Sequence, residues 1–401
     1  MGSSFGKPSP QIAADSASMG PVDLTRLGRC LITGATGEIG SRCVRRLNEA
    51  GIRPLVLLRS PLPQTAWRGA QVDILEGDLE EIVANPPSAS PAGSRPGGTD
   101  PARGWPEVGP DPGGSLPETD SGLCRALQGV DTVLHLAARV NLSGRGAAEM
   151  ERINDRAAVA LFDLARACRV RRYVHVSTTA AVGCAATQVA LDETATFNLE
   201  RFDNPYFRTK RCAQEAILDH WRRGDGPTEL VIVNPSITIG PQVSFRRLSL
   251  PRRPPFPKPG AAWLKCLRFW WAGGVNLVDA RDVAEGILLA ALRGRAGSRY
   301  ILAGENVTFR DLMLRLQRIF GTGHPTIRVP LPILRASAVG LQGWARLRRK
   351  RSRWNPTLAR LLGPYWFYDS ALARRELGYA PRPLDETLRD IRAWWLEQAR
   401  D

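Results

Sequence analysis

A short apolar run that breaks into three glycines constrains this chain more than any other feature. Residues 30–40 read Cys-Leu-Ile-Thr-Gly-Ala-Thr-Gly-Glu-Ile-Gly. The run is typical of the end of a buried parallel strand, and apolar residues recur at helical spacing after Ile39. The glycines permit a tight turn and a close backbone approach to a pyrophosphate, whose charge the amide groups of the helix start attract. The stretch predicts a dinucleotide site made by Gly34, Thr36, Gly37, Glu38, Ile39 and Gly40.

Length and composition bound the class of protein. A chain of 401 residues accommodates one large α/β domain with an appended lobe, or two domains. The seven cysteines form no C-x-x-C pair and the four histidines are dispersed, which favours reduced thiols and argues against a metal centre. No apolar run reaches the length of a membrane span, and no apolar signal core opens the sequence. These features predict a cytoplasmic protein without a metal ion.

The formal net charge of +16 raises the question of an anionic partner. Most of the arginines are spread along the whole chain, so we interpret the charge as a compositional bias plus affinity for an anionic cofactor, with no nucleic-acid partner. Two basic clusters, Arg246–Arg253 and Arg346–Arg353, lie beside tryptophans. Such clusters leave open a peripheral contact with a membrane surface. A homodimer is left open as well.

Two low-complexity stretches interrupt the periodic pattern. Residues 1–27 predict a disordered leader, with Met19 as an alternative start. Residues 82–121 predict a surface insertion of the kind that a fold tolerates at little cost. The rest divides into a dinucleotide-binding domain at 28–235, completed by 276–293, and a substrate-binding lobe at 236–275 and 294–401.

The ends of the next three predicted strands also carry candidate ligand contacts. Arg59 follows the second strand, where an acid would bind the ribose 2′-hydroxyl of NAD and an arginine suits the 2′-phosphate of NADP. The sequence therefore favours NADP(H) over NAD(H). Asp78 follows the third strand, where it can accept a hydrogen bond from adenine or cap the next helix. The small residues Ala137 and Ala138 end the fourth strand and leave room for a cofactor. We interpret His135, within that strand, as a core histidine.

A tyrosine and a lysine stand four residues apart in a predicted helix. Tyr206 and Lys210 therefore project from the same helix face. A phenol has a pKa of ~10 and exchanges protons poorly at neutral pH unless a nearby cation stabilises the phenolate. Lysine supplies that cation and can also hold the nicotinamide ribose. The hydroxyls of residues 177–179 follow the fifth strand at the sheet edge where ligands bind, so together these side chains predict an acid–base site.

With these residues in place, the sequence resembles the extended short-chain dehydrogenase/reductases over almost the whole chain outside the leader and the insertion. Residues 33–40 resemble the family's T-G-x-x-G-x-x-G, and 77–79 its adenine-contacting aspartate motif. The resemblance implies an α/β fold, a Rossmann-type doubly wound parallel sheet with a smaller C-terminal substrate lobe. It assigns catalysis to Thr179, Tyr206, Lys210 and Asn154, with Thr178 as the next choice for the catalytic hydroxyl. It assigns further cofactor contacts to Arg59, Asp78, Leu79, Ala137, Ala138, Ser177, Tyr206, Lys210, Pro235 and Ile237.

Within that family, Arg59 and the segment 367–379 look closest to dihydroflavonol-reductase-like and 3β-hydroxysteroid-dehydrogenase-like members. This likeness implies an NAD(P)-dependent oxidoreductase that transfers hydride to or from a carbonyl or alcohol of a hydrophobic molecule. Relatives usually carry an arginine where this chain has Asn234, which affects the expected substrate contacts. A nucleotide-sugar epimerase or dehydratase that retains NAD is an alternative, and a non-catalytic cofactor-binding scaffold is another.

Overall fold

The computed structural model of the chain describes residues 22–59, 67, 69–80, 122–241, 268–321, 326–349, 352 and 354–398. The predicted insertion at 82–121 lies outside these residues, as do most of the predicted leader and the basic cluster Arg246–Arg253. Among the helices that the described ranges contain, none combines the length and the apolar character needed to cross a bilayer.

The strands alternate with helices along the chain, as expected of an α/β protein. The strands are β1 Cys30–Thr33, β2 Leu55–Leu58, β3 Asp73–Glu76, β4 Thr132–His135, β5 Arg172–Val176, β6 Glu229–Pro235, β7 Ile237–Ile239, β8 Phe269–Trp270, β9 Gly274–Asp279, β10 Arg299–Leu302, β11 Glu305–Thr308, β12 Ile327–Arg328 and β13 Tyr365–Trp366. The α-helices are Gly40–Glu49, Gly122–Leu127, Ala147–Met150, Ala157–Ala167, Pro205–Arg223, Ala280–Arg293, Phe309–Phe320, Leu331–Leu347, Pro356–Arg360, Ala371–Leu377 and Leu384–Gln398.

A seven-stranded parallel sheet in the order β10-β6-β5-β4-β1-β2-β3 forms the centre of the protein. Along the sheet, β2 and β3 follow β1 on one side, and β5, β6 and β10 follow β4 on the other. Loops that leave the carboxyl ends of β1 and β4 therefore diverge and leave a crevice, which is the usual ligand site of such sheets. The predicted doubly wound parallel sheet is confirmed.

Burial explains why most residues of the central strands are apolar. Every residue of β1, β2, β4 and β5 is buried, as expected where helices cover both faces of a parallel sheet. One face packs on the helices Gly40–Glu49 and Ala280–Arg293. The other packs on Ala157–Ala167 and on Pro205–Arg223, which we call the tyrosine helix. The sheet edge that carries the predicted site is thereby held between two packed layers.

A smaller sheet forms the core of the second unit. In it, β9 pairs with β11, β13 and β7, and the helices Phe309–Phe320 and Leu384–Gln398 pack against it. The observed boundary differs from the predicted division at two strands. β9 was predicted from residue 276 onward to complete the dinucleotide-binding domain, but it pairs in the smaller sheet. Arg299–Leu302 pairs with β6 at the edge of the central sheet, because its buried Tyr-Ile-Leu run covers the apolar edge of β6.

The last residues of the predicted leader 1–27 are ordered. Leu24–Leu27 forms a 3₁₀ helix whose first turn is capped by Asp23, the side chain of which accepts a hydrogen bond from the Thr25 amide. Leu24 and Leu27 are 2% and 1% exposed and join the core beneath the sheet. The prediction of disorder is therefore wrong for residues 22–27. Leu24 and Leu27 are three residues apart, so they bury one face of a short helix. The composition of the whole stretch 1–27 does not reveal this local pattern.

Candidate active site

The glycine turn after β1 is shaped as the sequence predicts. Gly34 has a φ of +71°, and a Cβ there would lie 2.7 Å from the amide nitrogen of Ala137. A Cβ at Gly40 would collide with the carbonyl oxygen of Gly34. The helix that begins at Gly40 has no capping side chain and no acidic residue in its first turn. This tight turn, with an uncapped helix start, fits a bound pyrophosphate.

The second and third strand ends carry their predicted residues at the same edge of the sheet. Arg59 directly follows β2 and is exposed. Asp78 lies two residues beyond β3, and its Oδ1 accepts a 3.0 Å hydrogen bond from the amide of Glu80. Asp78 thus makes the capping contact that the sequence allowed. Leu79 is buried in the core.

Asn154 fixes the chain that follows β4. It lies in a π-helical turn, Glu151–Arg156, between two α-helical segments, and it is buried. Its Oδ1 accepts a 2.6 Å hydrogen bond from the Arg139 amide, and its Nδ2 donates a 2.8 Å bond to the Arg139 carbonyl. The widened turn therefore clamps the backbone just after Ala137 and Ala138, which are half-buried.

The tyrosine helix begins at a strong start signal. Asn204 caps it by accepting a 3.0 Å hydrogen bond from the Tyr206 amide, and Pro205 occupies the first helical position. Tyr206 is 9% exposed and Lys210 is 2% exposed. The Nζ of Lys210 donates a 2.8 Å hydrogen bond to the carbonyl of Val176, the last residue of β5. Burial lowers the pKa of Lys210 to about 8, so the lysine is largely cationic at neutral pH.

The three hydroxyls after β5 differ in their surroundings. Ser177 is buried, and its Oγ has no hydrogen-bond partner among the described residues. Thr178 caps the following 3₁₀ turn, since its Oγ1 accepts a 3.2 Å hydrogen bond from the Ala180 amide. Thr179 is 4% exposed and opens that turn. Because buried polar atoms are rarely left unpaired, the orphaned Ser177 hydroxyl fits a site that receives a polar ligand.

Asn234 and Gln214 support the site, although neither was predicted to belong to it. Asn234 is buried, and its Nδ2 donates 2.8 Å hydrogen bonds to the Thr178 carbonyl and to Oε1 of Gln214. Gln214 lies one turn beyond Lys210 on the tyrosine helix. Asn234, which stands where the family usually has an arginine, therefore links residues 177–179, which we call the hydroxyl turn, to the tyrosine helix. An amide inside an apolar strand was the available signal, because such a group must find partners.

Tyr368 supports the hydroxyl turn from the second unit. Its hydroxyl donates a 2.8 Å hydrogen bond to the Gly183 carbonyl and lies 3.4 Å from the Thr179 carbonyl. Burial raises the pKa of Tyr368 above the usual tyrosine range, so this residue acts as a neutral donor. The sequence reasoning used Tyr368 only as part of a family-like segment.

The remaining predicted contacts lie at the carboxyl end of β6. Pro235 is the last residue of that strand, and Ile237 begins β7 and is half-buried. Between them, Ser236 joins the two sheets through a 2.5 Å hydrogen bond from its Oγ to Oδ1 of Asn276. The structure thus brings the residues after β1, β4, β5 and β6 to one sheet edge, with Arg59 and Asp78 at the outer strands of the same edge.

His135 is buried within β4, as the interpretation as a core histidine expects. Its Nδ1 lies 2.8 Å from the Thr33 hydroxyl, and its ring stacks on that of His175 with 5.6 Å between centroids. Burial, aided by the Lys210 charge, lowers the pKa of His135 to about 3. This histidine stays neutral at physiological pH, which fits the interpretation as a core residue.

Tyr206 belongs to an apolar, aromatic cluster. The ring of Trp366 lies 5.9 Å from that of Phe202 and 5.8 Å from that of Phe207, between centroids. The buried members of this cluster are Met150, Ala180, Cys184, Leu199, Phe202, Tyr206 and Phe207. Low polarity around a phenol strengthens its interaction with a nearby cation.

Several known proteins are similar to this chain. The family described as NAD_binding_4, Male sterility protein, matches residues 119–285. Sterol demethylase protein B of Methylococcus capsulatus is 27% identical over 370 residues, which is 92% of this chain and 98% of that protein. A putative dihydroflavonol 4-reductase of Synechocystis is 25% identical over 388 residues, 91% of this chain and 93% of that protein. These matches bear out the resemblance to the extended short-chain dehydrogenase/reductases.

A solved structure shares this fold. It is the dTDP-glucose 4,6-dehydratase DesIV of Streptomyces venezuelae with NAD bound, which has a TM-score of 0.61 at 19% identity and matches over 93% of this chain and 98% of its own. The family resemblance predicted from the motifs is confirmed, and so is the prediction of an NAD(P)-dependent enzyme that binds a nicotinamide cofactor.

Proposed function

We propose that this short-chain dehydrogenase/reductase transfers hydride between NADP(H) and a carbonyl or alcohol of an apolar small molecule. The observation that carries the proposal is the position of Tyr206. It lies one helical turn from a buried cationic lysine and borders an apolar aromatic cluster. The nearby lysine cation suits proton exchange by the phenol, and the aromatic cluster suits a hydrophobic substrate.

The chain's own residues account for the proton transfer. When bound, the nicotinamide supplies or accepts the hydride. In the reductive direction Tyr206 donates its proton to the carbonyl oxygen, and in the oxidative direction its phenolate takes the proton of the alcohol. Lys210 stabilises the phenolate and orients the cofactor ribose, while the Thr179 hydroxyl holds the reacting oxygen. The Val176 carbonyl positions Lys210 through the hydrogen bond described above, and Asn154 holds the backbone at Arg139, after β4.

The preference for NADP(H) rests on Arg59. This arginine is exposed directly after β2, and no acid occupies its position. A guanidinium suits a phosphate because it offers paired donors and keeps its charge, whereas the 2′-hydroxyl of NAD calls for a carboxylate. The presence of the arginine and the lack of an acid at this position both support NADP(H).

The apolar substrate class rests on the side chains that border Tyr206. Phe202, Phe207 and Trp366 form the aromatic part of this border, and Val140 and Leu142 pack beside them. A sugar nucleotide would instead call for polar and charged side chains. The names of two relatives, a sterol demethylase protein and a putative dihydroflavonol reductase, refer to ring compounds without the charged diphosphate of a sugar nucleotide and support the same class.

An epimerase or dehydratase is the second candidate function. It is favoured by the fold shared with the NAD-bound dTDP-glucose dehydratase. Such an enzyme returns the hydride to its own substrate, so its cofactor stays bound and no net oxidation is seen. A non-catalytic scaffold is disfavoured, because it would have no use for a tyrosine, a buried lysine and a threonine together.

We also propose that the enzyme works in the cytoplasm and touches a membrane surface. Support comes from Arg346, Arg348 and Arg349, which are exposed beside Trp344 at the end of one helix. A homodimer stays a prediction from the sequence.

The proposed function is tested by incubating the purified full-length protein with a panel of hydrophobic ketones and either NADPH or NADH, followed by mass spectrometry of any retained cofactor. We expect net oxidation of NADPH by at least one aromatic or polycyclic ketone. Tightly retained NAD without net oxidation of added cofactor would overturn the proposal in favour of the epimerase or dehydratase.

A further inference from the structure

The helix Leu331–Leu347 leaves most of its apolar side chains in solvent. Ala338 and Ala345 are its buried residues. The side chains Ile333, Leu341, Trp344 and Leu347 are 60%, 47%, 52% and 85% exposed. Because they recur at spacings of eight, three and three residues, they lie along one face of the helix. We call these four residues the apolar stripe.

The charge around the apolar stripe has a single sign. Arg335 and Arg346 are exposed on the helix, and Arg348 and Arg349 follow its end. Segment 326–349 contains no aspartate or glutamate. The guanidinium of Arg348 lies 4.3 Å from the centroid of the Trp344 ring, so a basic group and an interfacial aromatic occupy the same end of the stripe.

The neighbouring ribbon continues this character. Strands β8 and β12 pair so that Phe269 lies beside Ile327, and these side chains are 39% and 42% exposed. Arg268 and Arg328 lie over the rings of Phe269 and Trp270, 6.0 Å and 5.6 Å from the centroids. The ribbon leads directly into the helix, since the Val329 amide donates a 2.8 Å hydrogen bond to the Trp270 carbonyl.

We propose that the apolar stripe docks this protein on an anionic lipid bilayer, with the helix lying in the plane of the membrane surface. An amphipathic helix with exposed tryptophan and leucine, flanked by arginines, has the composition of an interfacial helix. The arginines complement the negative surface potential of anionic lipids. This inference rests on the proposed membrane contact and is independent of the proposed redox chemistry, because lipid binding requires neither cofactor nor substrate.

A second copy of the chain is a poorer occupant of the stripe. A two-fold contact would place the same segment against itself. Arg348 and Arg349, which follow the end of the stripe, would then lie at the contact with no carboxylate in the segment to pair with them, and juxtaposed like charges oppose association.

A chain of contacts links the helix that carries the stripe to the proposed site. The helix packs on Pro356–Arg360, and Leu361, the next residue, packs against the apolar cluster that includes Tyr206. A protein docked through the stripe would therefore hold this cluster near the lipid from which an apolar substrate partitions.

The test is co-sedimentation of the full-length protein with vesicles of phosphatidylcholine, alone or with about one third phosphatidylglycerol. We expect binding to the anionic vesicles. The double variant Trp344→Ser/Leu347→Ser should lose it, and Arg348→Gln/Arg349→Gln should weaken it by about fivefold per arginine. The matched controls are Val189→Ser, which alters a 56% exposed apolar side chain elsewhere, and Arg222→Gln/Arg223→Gln on the tyrosine helix.

Folding of each variant is checked by its thermal midpoint and by quenching of protein fluorescence with NADPH, neither of which should change. The proposal is overturned if the wild type sediments with neither vesicle, or if the stripe variants bind as the controls do. It is also overturned if sedimentation velocity shows a dimer that Trp344→Ser/Leu347→Ser dissociates, since a second copy would then cover the stripe.

Discussion

The Nζ of Lys210 donates a 2.8 Å hydrogen bond to the carbonyl oxygen of Val176. This bond ties the cation of the tyrosine helix to the last residue of β5, directly before the three hydroxyl residues. The lysine is buried, so the carbonyl replaces part of the hydration that it loses. The relation between cation, phenol and threonine is consequently set by the packing of a helix on a sheet.

Replacing Tyr206 by phenylalanine should abolish most turnover. The variant keeps the ring but loses the proton donor, and we expect kcat to fall about a hundredfold to ten-thousandfold. NADPH affinity, measured by fluorescence titration, should stay near that of the wild type. The matched control is Tyr379→Phe, which removes a buried hydroxyl with no partner among the described residues. A Tyr206→Phe enzyme with full turnover would contradict the assignment.

Lys210 should make stability depend on alkaline pH. Burial lowers its pKa to about 8 in the folded protein, whereas the unfolded chain keeps a value of ~10.4. Between these values the unfolded state binds more protons, so the free energy of unfolding contributed by this residue rises with pH. Below the lower value, both states are protonated and the folded protein bears the full cost of the buried cation.

The measurement is urea unfolding of the wild type and of Lys210→Met at a series of pH values from ~7 to ~10. Stability of the wild type relative to the variant should increase across this window by at most about 3 kcal/mol. Taking the difference removes the contribution of other titrating groups. A difference that stays constant with pH would show that the pKa of the lysine is not lowered.

Asn234 should stabilise the packing of residues 177–179 against the tyrosine helix. Asn234→Leu removes the hydrogen bonds to the Thr178 carbonyl and to Gln214, and we expect a loss of about 1–3 kcal/mol in the free energy of unfolding together with a lower kcat. Gln214→Leu, alone and combined with Asn234→Leu, completes a double-mutant cycle in which the two changes should be less than additive. Strict additivity would show that the amides act separately.

Arg59 should select the cofactor. In Arg59→Ser the paired donors to a 2′-phosphate are lost, so the KM for NADPH should rise about tenfold or more while that for NADH stays nearly constant. The control is Arg222→Ser, which removes a 61% exposed arginine side chain from the end of the tyrosine helix. Equal effects on the two cofactors would remove Arg59 as the discriminator.

Much of this protein could be predicted from local patterns. The glycine turn, the apolar strand runs and the Tyr206–Lys210 spacing depend on residues that are near neighbours in sequence, and their periods determine which side chains share a face. The α/β class, the doubly wound parallel sheet and the family therefore followed from the sequence alone. Composition was a poorer guide where a few residues act against it, as Leu24 and Leu27 do at the end of the predicted leader.

Contacts between distant segments were decided only by the tertiary structure. β10 joins β6 across more than sixty residues, and Asn234 joins the hydroxyl turn to the tyrosine helix. Such partners depend on how elements pack, since burial and hydrogen-bond satisfaction are properties of the assembled chain. The sequence by itself determined which groups this enzyme possesses. The packed structure decided which of them are buried, which are braced and which, like the apolar stripe, are left facing outward.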